Sequence, residues 1–322
     1  MNAASSPASP ASPASLRGIL FALGGSLIFS VNDVAIKFLS ADYALHEVIL
    51  VRAVIGLIFL VGLIQVTGTG YRQLLTRRPK AHLIRVCIVM VSNVTFFLGL
   101  AAMPLADAVA TAFVSPILVT LLSVVVLGER VGPRRWAAVA VGMLGVVILL
   151  RPGAGVIQPA AILVLISALC YAATNLMTRQ MRETESAMAL SFFVQVGFVV
   201  VSGAMGLWVA DGHLAGSSDP SLAFLFRLWV WPPLADLPAF LATGLAVAIG
   251  ALMMAQAYRL NEAGLVAPFE YVGMPMAIFW GVVVFGRWPD LVAWAGIALI
   301  CGAGIYTLMR ETLRGKEDRV ET

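Results

Sequence analysis

Three ionisable residues, Asp33, Arg52 and Glu270, lie within apolar stretches of this sequence, where a charged side chain is unusual. On insertion scales such a side chain costs about 2.5–3.5 kcal/mol in the middle of a membrane, which makes it a functional candidate. It can take up a proton, pair with an opposite charge, or contact a charged group of a small molecule. Glu270 has no evident partner on its own helix and is predicted to take up a proton or bind a cation.

Other charged residues lie toward the ends of the apolar stretches, and we expect the charges to form two layers. At a rise of 1.5 Å per helical residue, Asp33 and Arg52 lie at similar depths below one face. The outer layer is predicted to contain Asp33, Lys37, Glu47, Arg52 and Asp107, and the inner layer Arg179, Arg259, Glu262 and Glu270. We hypothesise that the two layers are an outer and an inner gate.

Structural roles are an alternative for several of these charges. Asp33 and Lys37 are four residues apart and can neutralise each other on one helix. Lys37, Arg179 and Arg259 can extend from helix ends to lipid headgroups. Arg52 lies too deep for that, so we expect either an ion pair or contact with an anionic group of a substrate.

Polar and aromatic residues within the same stretches are predicted to line a binding cavity. Thr111 and Ser115 follow Asp107 at four-residue intervals, which places the three on one helix face. Pro268 and Pro275 flank Glu270 and predict a local opening of that helix. Polar residues can equally join helices, and aromatic residues can simply pack. The cavity candidates are Asn32, Asn93, Phe97, Thr111, Ser115, Tyr171, Asn175, Gln195, Gln256, Glu270, Tyr271 and Trp280.

The composition indicates what holds these residues in place. Of the 322 residues, 60% are hydrophobic and 12% are charged, whereas a typical soluble domain is about 25% charged. This argues strongly against a water-soluble enzyme and for an all-α polytopic membrane protein. A helix crosses a bilayer with about 20 apolar residues. Ten transmembrane helices are predicted, at 17–39, 46–66, 81–103, 106–127, 134–151, 158–181, 186–210, 235–260, 263–286 and 290–310.

Three segments fall outside the predicted spans. Residues 1–16 are rich in Ser, Pro and Ala and have no charged side chain, so a disordered cytoplasmic tail is expected. Residues 311–322 form a second predicted cytoplasmic tail. The connection 211–234 contains an apolar stretch, 222–231, that is too short to span. It predicts an interfacial helix with Trp229 and Trp231 at headgroup level, or alternatively a partial eleventh span.

The placement of Lys and Arg predicts the orientation. Of 21 such residues, 16 fall in tails and connections on one side and 3 on the other. This bias places both termini in the cytoplasm, and we expect the cytoplasmic membrane of a bacterium. It also explains the pI of about 9.2 without nucleic acid as a partner.

An internal repeat divides the chain into residues 17–151 and 158–310. Leu127-Gly128-Glu129 matches Phe285-Gly286-Arg287 at an offset of 158 residues, and Phe29, Asp33 and Lys37 match Tyr171, Asn175 and Arg179 at an offset of 142. Five helices is an odd number, so the second copy enters from the opposite side. Two inverted five-helix repeats are typical of secondary transporters.

The ten helices and the duplication resemble the drug/metabolite transporter superfamily, specifically its EamA-type branch. Two sequence patterns support the resemblance: the run from Ala101 to Pro116 leading to Leu127-Gly128-Glu129, and Arg52 in the second helix. The resemblance implies a central cavity lined by helices 1, 3, 4, 6, 8 and 9, with helices 5 and 10 at the periphery. Arg287 departs from the acidic residue that often follows this glycine.

We therefore expect secondary transport of a small polar or amphipathic metabolite, such as an amino acid, a vitamin or an organic acid. Alternating access is predicted, with proton coupling or exchange. The lack of a G-x-x-x-x-G-K-[ST] motif argues against an ATP-driven pump. A flippase for lipid-linked substrates remains an alternative, and an intramembrane enzyme is a weaker one, because no H-E-x-x-H or G-x-S-x-G motif occurs. No cofactor or metal site is expected, since Cys87, Cys170 and Cys301 form no C-x-x-C. The expected partners are the substrate and the lipid bilayer, with a monomer or homodimer as the assembly.

Overall fold

The computed structural model describes residues 16–127, 133–150, 159–209, 212–261 and 266–320, and all regular structure within them is helical. The α-helices are α1 (Leu16–Leu39), α2 (Leu45–Thr67), α3 (Pro79–Ala102), α4 (Leu105–Ala112), α5 (Ser115–Leu127), α6 (Pro133–Leu150), α7 (Pro159–Met181), α8 (Ala187–Val209), α9 (Pro220–Phe226), α10 (Leu237–Leu260), α11 (Gly273–Phe285) and α12 (Leu291–Val320). Two 3₁₀ segments, Tyr71–Leu74 and Ala267–Val272, complete the fold.

The helices agree with the predicted spans. Each of the ten predicted segments overlaps a helix, and seven stretches among the described residues are long and apolar enough to cross a membrane. Two shorter apolar helices are Gly273–Phe285 and Leu291–Ala303. Its helix content and its hydropathy therefore identify the chain as an all-α polytopic membrane protein. The predicted C-terminal tail differs in one respect, because α12 continues to Val320.

One predicted span is interrupted in the structure. Segment 106–127 is two helices, α4 and α5, separated by a turn at Phe113 and Val114. The backbone N–H of Val114 bonds to the carbonyl of Thr111, three residues back, which tightens the chain at this point. Pro116 has no N–H to donate to the preceding turn, so a continuous helix would lose a hydrogen bond here. Thr111 shares a face of α4 with Asp107, as predicted, but Ser115 begins the next helix and lies beyond the break, so the prediction is wrong for Ser115.

Helix lengths repeat along the chain at the offsets found in the sequence. Helices α2 and α8 both have 23 residues and begin 142 positions apart. Helices α3 and α10 both have 24 residues, and α5 and α11 both have 13. In each of these last two pairs, the second helix begins 158 positions after the first. A short segment precedes the 13-residue helix in both halves: α4 in the first and the 3₁₀ segment 267–272 in the second.

Helix packing follows the same correspondence. Helix α1 packs on α10 and α3 packs on α7, and these two pairs would be equivalent under the predicted repeat; α6 packs on α12. Gly99 permits the close approach of α3 to α7. A Cβ atom at position 99 would lie 2.5 Å from Cγ2 of Val164 and 2.7 Å from the carbonyl oxygen of Ala160. Small residues commonly allow such contact between membrane helices.

The connection between α8 and α10 contains the seven-residue helix α9. Asp219 caps it by accepting a hydrogen bond from the N–H of Leu222, and Ser221 donates to the carbonyl of Leu98 in α3. The helix ends at Phe226, so the predicted helix over 222–231 is too long. Trp229 and Trp231 follow it in non-helical chain, and the Trp231 side chain is 90% exposed.

Candidate functional site

A central cavity of about 190 Å³ lies between α1, α3, the α4–α5 pair, α7, α10 and the segment 267–285. These correspond to predicted helices 1, 3, 4, 6, 8 and 9, as the family resemblance implies. The structure brings several of the predicted site residues into one wall. Those lining the cavity are Asn32, Asp33, Asn93, Phe97, Ser115, Tyr171 and Glu270.

Glu270 is buried in the 3₁₀ segment, and its partners come from two other helices. The hydroxyl of Tyr171 in α7 donates to Oε2 at 3.0 Å, and the hydroxyl of Tyr258 in α10 donates to Oε1. Sequence analysis named Tyr171 as an aromatic cavity residue but missed Tyr258. Both hydroxyls stabilise the charged carboxylate, whereas burial favours the protonated acid. The cluster is thus arranged so that adding a proton changes its hydrogen bonds.

Arg52 is fully buried and is held by amide oxygens. Its Nη2 donates to Oδ1 of Asn93 at 3.0 Å, and its Nη1 lies 3.4 Å from Oδ1 of Asn32. The guanidinium carbon also lies 4.9 Å from the ring centre of Phe97 and 5.0 Å from that of Phe198. Within the described chain no carboxylate is within 4 Å of this guanidinium, so the predicted ion pair is replaced by amide and cation–π contacts.

Asn32 links Arg52 to two further groups. Its Nδ2 donates to Oδ1 of Asp33 at 3.1 Å, and its Oδ1 accepts a 2.6 Å hydrogen bond from Thr243 in α10. The chain Arg52–Asn32–Asp33 therefore spans α2 and α1. Thr243 was not identified from the sequence, because a single threonine in an apolar stretch carries no distinctive signal.

Lys37 serves a different role from either prediction. Its Nζ donates to the carbonyl oxygens of Leu100, Ala101 and Met103 at 2.6, 3.1 and 2.8 Å. It caps the C-terminus of α3, where carbonyl groups are unpaired and a cation is favoured. Neither pairing with Asp33 nor extension to lipid headgroups explains this position.

The remaining predicted charges lie at helix ends. Arg259 donates to Oε1 of Gln256 at 2.9 Å and to the carbonyl of Arg182 at 3.2 Å, and so joins α10 to the turn after α7. Arg179 lies in the last turn of α7 and Asp107 in the first turn of α4. Glu262 falls outside the described residues.

Four cavity candidates among the described residues lie outside the walls of both cavities: Thr111, Gln195, Gln256 and Trp280. Thr111 donates to the carbonyl of Asp107 one turn earlier, and Gln256 accepts from Arg259. Gln195 is buried in α8 against Gly56 of α2. Trp280 supports the wall indirectly, since its Nε1 donates to Ser30 at 3.2 Å. The side chain of Tyr271 lies outside the described part of the structure.

A second cavity of about 100 Å³ adjoins the first and contains Asn175 in its wall. It also contains Arg85, which is only 8% exposed. Arg85 is one of the 16 lysine and arginine residues that the sequence analysis counted in tails and connections on the cytoplasmic side, because it lies close to the start of an apolar segment. Its burial arises from the packing of α3, α7 and α8, which hydropathy does not reveal.

Outside the spans, a buried carboxylate joins two connections. Glu185 accepts hydrogen bonds from His82 Nε2 at 2.9 Å, Thr76 Oγ1 at 2.9 Å and the N–H of Arg77 at 3.3 Å. Burial acts to raise the pKa of Glu185, but these hydrogen bonds outweigh it and hold the pKa below its ordinary value. The described residues contain no group of three or more His, Cys, Asp or Glu side chains that could hold a metal ion.

At the opposite end, contacts fasten the chain before α10 to the turn between α1 and α2. The hydroxyl of Tyr43 donates to Oδ2 of Asp236 at 2.6 Å, and Arg227 donates to the carbonyls of Ser40 and Tyr43, both at 3.1 Å. Burial, together with the nearby Asp236 carboxylate, raises the pKa of Tyr43 to about 12. Tyr43 therefore remains a hydrogen-bond donor at every physiological pH.

Comparisons with known proteins give one consistent result. Residues 16–151 match the EamA-like transporter family. A riboflavin transporter from Rhizobium johnstonii is 30% identical over 300 residues, covering 93% of each chain. An S-adenosylmethionine uptake transporter from Rickettsia prowazekii is 22% identical over 296 residues, covering 92% of this chain and 94% of that one. A solved crystal structure at 18% identity has a TM-score of 0.68 and covers 91% of this chain and 97% of that chain, which shows a shared fold.

Proposed function

The chain belongs to the EamA-like transporter family, and we propose that its central cavity carries a flat heteroaromatic metabolite with a polar side chain. It is an integral membrane protein and a transporter of small metabolites rather than an enzyme. The proposal narrows the substrate from the broad set of amino acids, vitamins and organic acids. Riboflavin and S-adenosylmethionine, named for two relatives, each combine a heteroaromatic ring with a polar chain.

The composition of the cavity wall carries this proposal. Five aromatic rings lie in it, which suits stacking against a flat ring system, a contact worth about 0.5–1.5 kcal/mol per pair. Amides and hydroxyls in the same wall can bind hydroxyl or carbonyl groups of a polar chain. The aromatic residues are Phe29, Phe96, Phe97, Phe113 and Tyr171, and the amides and hydroxyls are Ser26, Ser30, Asn32, Ser92, Asn93, Ser115 and Ser167.

Alternating access is the proposed mechanism. The matched helix lengths in the two halves support a duplication, and an odd number of helices per half makes the copies inverted. Both short segments, α4 and 267–272, contribute residues to the cavity wall, so a shift of either one changes the site directly. The bias of Lys and Arg supports a cytoplasmic location for both termini.

Glu270 is the proposed site of proton coupling. It is the only carboxyl group besides Asp33 in the described cavity wall, and its two tyrosine partners lie on α7 and α10. A proton on Glu270 removes one acceptor from this cluster, which alters the link between three elements. Exchange of one substrate molecule for another is the alternative mode and needs no proton.

Uptake into proteoliposomes tests the proposal. The purified full-length protein is reconstituted and the fluorescence of accumulated riboflavin is measured, with S-adenosylmethionine as competitor and protein-free liposomes as reference. Saturable uptake is expected. We expect Phe96→Leu, which shortens a ring in the cavity wall, to raise KM about two- to tenfold, and Phe279→Leu, an exposed ring on α11, to leave KM unchanged. Uptake that never saturates, or equal effects of the two variants, would refute the proposed site.

A further inference from the structure

The second cavity is separate from the central one but shares a wall with it. Five residues line both: Phe29, Ser92, Asn93, Tyr171 and Val247. The remaining wall of the second cavity comes mainly from α3, α7, α8 and α10. On the predicted topology it lies on the cytoplasmic side of Tyr171.

Arg85 provides a cation in this wall. Its Nε donates to Oγ1 of Thr178 at 3.2 Å and its Nη1 to the carbonyl of Leu190 at 3.0 Å. In the part of the chain that the structure describes, no hydrogen bond is recorded for Nη2. Two hydrogen bonds to protein atoms therefore fix the plane of the guanidinium, and its remaining N–H groups can donate to a ligand.

A second donor in the same wall lacks a partner. The Oγ atom of Ser191, near the start of α8, is buried and makes no hydrogen bond within the described structure. Ser191 is 4% exposed, so bulk water does not satisfy it. A buried polar group left unpaired is costly, which makes an orphaned hydroxyl beside a cavity an indication of a missing partner.

The two cavities also differ in charge. The wall of the central cavity contains two carboxyl groups, Asp33 and Glu270, and no lysine or arginine among its described residues. Among the residues that the structure describes, the wall of the second cavity contains Arg85 and no aspartate or glutamate. A buried cation without a carboxylate partner favours an anionic ligand.

We infer that the second cavity is a binding site for an anionic group, a carboxylate or a phosphate, held by Arg85 and Ser191. Arginine presents parallel N–H donors that match the oxygens of either group. The anion is the charged end of a transported molecule or a free anion that exchanges with it. The site itself does not depend on which substrate occupies the central cavity.

Anion binding to the purified full-length protein in detergent tests this inference. The thermal unfolding midpoint is measured against sodium phosphate and sodium acetate at constant ionic strength, with sodium chloride as the reference. A ligand that binds the folded state raises the midpoint in a saturable way. We expect saturation in the wild type and, for Arg85→Gln, an apparent dissociation constant raised about tenfold or more.

Three control variants separate binding from structure. Arg287→Gln removes an exposed arginine and must respond to anions as the wild type does. Arg85→Lys keeps the charge without the paired donors, so an intermediate response is expected. Ser191→Ala removes the orphaned hydroxyl without leaving a protein partner unpaired, and it should weaken anion binding even if Arg85→Gln fails to fold. The inference is overturned if the wild type shows no saturable response, or if the Arg85 and Ser191 variants respond as the wild type does.

Two further measurements identify the source of the anion, and each positive result supports the site. If riboflavin 5′-phosphate binds more tightly than riboflavin and Arg85→Gln abolishes the difference, the anion is an end of the transported molecule. If phosphate trapped inside proteoliposomes accelerates riboflavin uptake in the wild type only, the anion is a free exchange partner. If neither effect occurs although phosphate binds, the result is an adventitious ion only, and the inference is rejected.

Discussion

The Tyr171 hydroxyl lies 3.0 Å from Oε2 of Glu270, on the wall that separates the two cavities. Tyr258, which lines the second cavity, holds the other oxygen of the same carboxylate. One carboxyl group therefore joins α7, α10 and the 3₁₀ segment, and both of its tyrosine partners line the second cavity. We therefore expect a change in the protonation of Glu270 to alter hydrogen bonds in the walls of both cavities.

Glu270→Gln is predicted to uncouple transport from a pH gradient while leaving exchange of substrate intact. Glutamine cannot bind a proton in this pH range, but its carbonyl oxygen still accepts one tyrosine hydrogen bond. The measurement compares riboflavin uptake with and without an imposed pH gradient, and counterflow in the absence of one. Glu183→Gln, which changes a side chain that is 83% exposed, is the control and should retain coupling. Gradient-stimulated uptake in Glu270→Gln would rule out this carboxyl as the coupling group.

Arg52→Lys is predicted to reduce both stability and transport. Lysine keeps the charge but cannot hold Asn32 and Asn93 together while lying between the rings of Phe97 and Phe198. The free energy of unfolding should fall by about 1.5–3 kcal/mol, the usual worth of hydrogen bonds to a charged group. Chemical unfolding in detergent measures it, with the exposed Arg287→Lys as reference. Equal stability of the two variants would contradict a specific role for the guanidinium.

Acidification is predicted to destabilise the protein through Glu185. Its folded-state pKa is lowered below the ordinary value of 4.5, so its contribution is fully present above that value. The contribution is lost as the pH falls from about 4.5 through the lower folded-state pKa. Unfolding midpoints measured between pH 7 and pH 3 should fall less steeply for Glu185→Gln, which starts from a lower midpoint at pH 7. The exposed Glu183→Gln should follow the wild-type curve, and parallel curves for all three proteins would contradict the assignment.

Gly99→Ala is predicted to force α3 and α7 apart. The added methyl group would lie 2.5 Å from Val164 and 2.7 Å from the backbone of Ala160, and the backbone cannot move cheaply. We expect the free energy of unfolding to fall by about 1–3 kcal/mol. Gly62→Ala is the matched variant, because a methyl group at that helical position meets nothing within 4 Å. It should be neutral or stabilising by up to about 1 kcal/mol, and equal losses in both variants would refute the packing argument.

The spans were predictable from the sequence because hydropathy depends on local composition. The break at Phe113 and Val114 was not, since the surrounding residues are as apolar as those of a continuous span and only Pro116 indicates it. The length of α9 was also missed. Its buried residues are Ser221 and Phe224, and no local sequence pattern reveals their contacts with the rest of the protein.

Several residues of the candidate site were identifiable from the sequence, but their pairings were not. An ionisable residue in an apolar stretch is conspicuous, and Arg52 and Glu270 were identified for that reason. Their partners are amides and phenols on distant helices, and such residues are common in membrane proteins. Tyr258 and Arg85 were therefore missed: the first has no charge, and the second lies near a helix end, where a cation is expected in any case.

The positions of these partners along the chain bear on how the protein is made. Tyr171 and Tyr258 precede Glu270 by 99 and 12 residues. A ribosome delivers the N-terminal part of a chain first, so both phenols have been synthesised before the acidic residue that needs them. Arg52 differs, because Asn32 comes 20 residues before it and Asn93 comes 41 residues after it. Arg52 therefore has both amide partners only after α3 has been synthesised, which makes the three helices α1 to α3 the smallest continuous unit that contains both contacts.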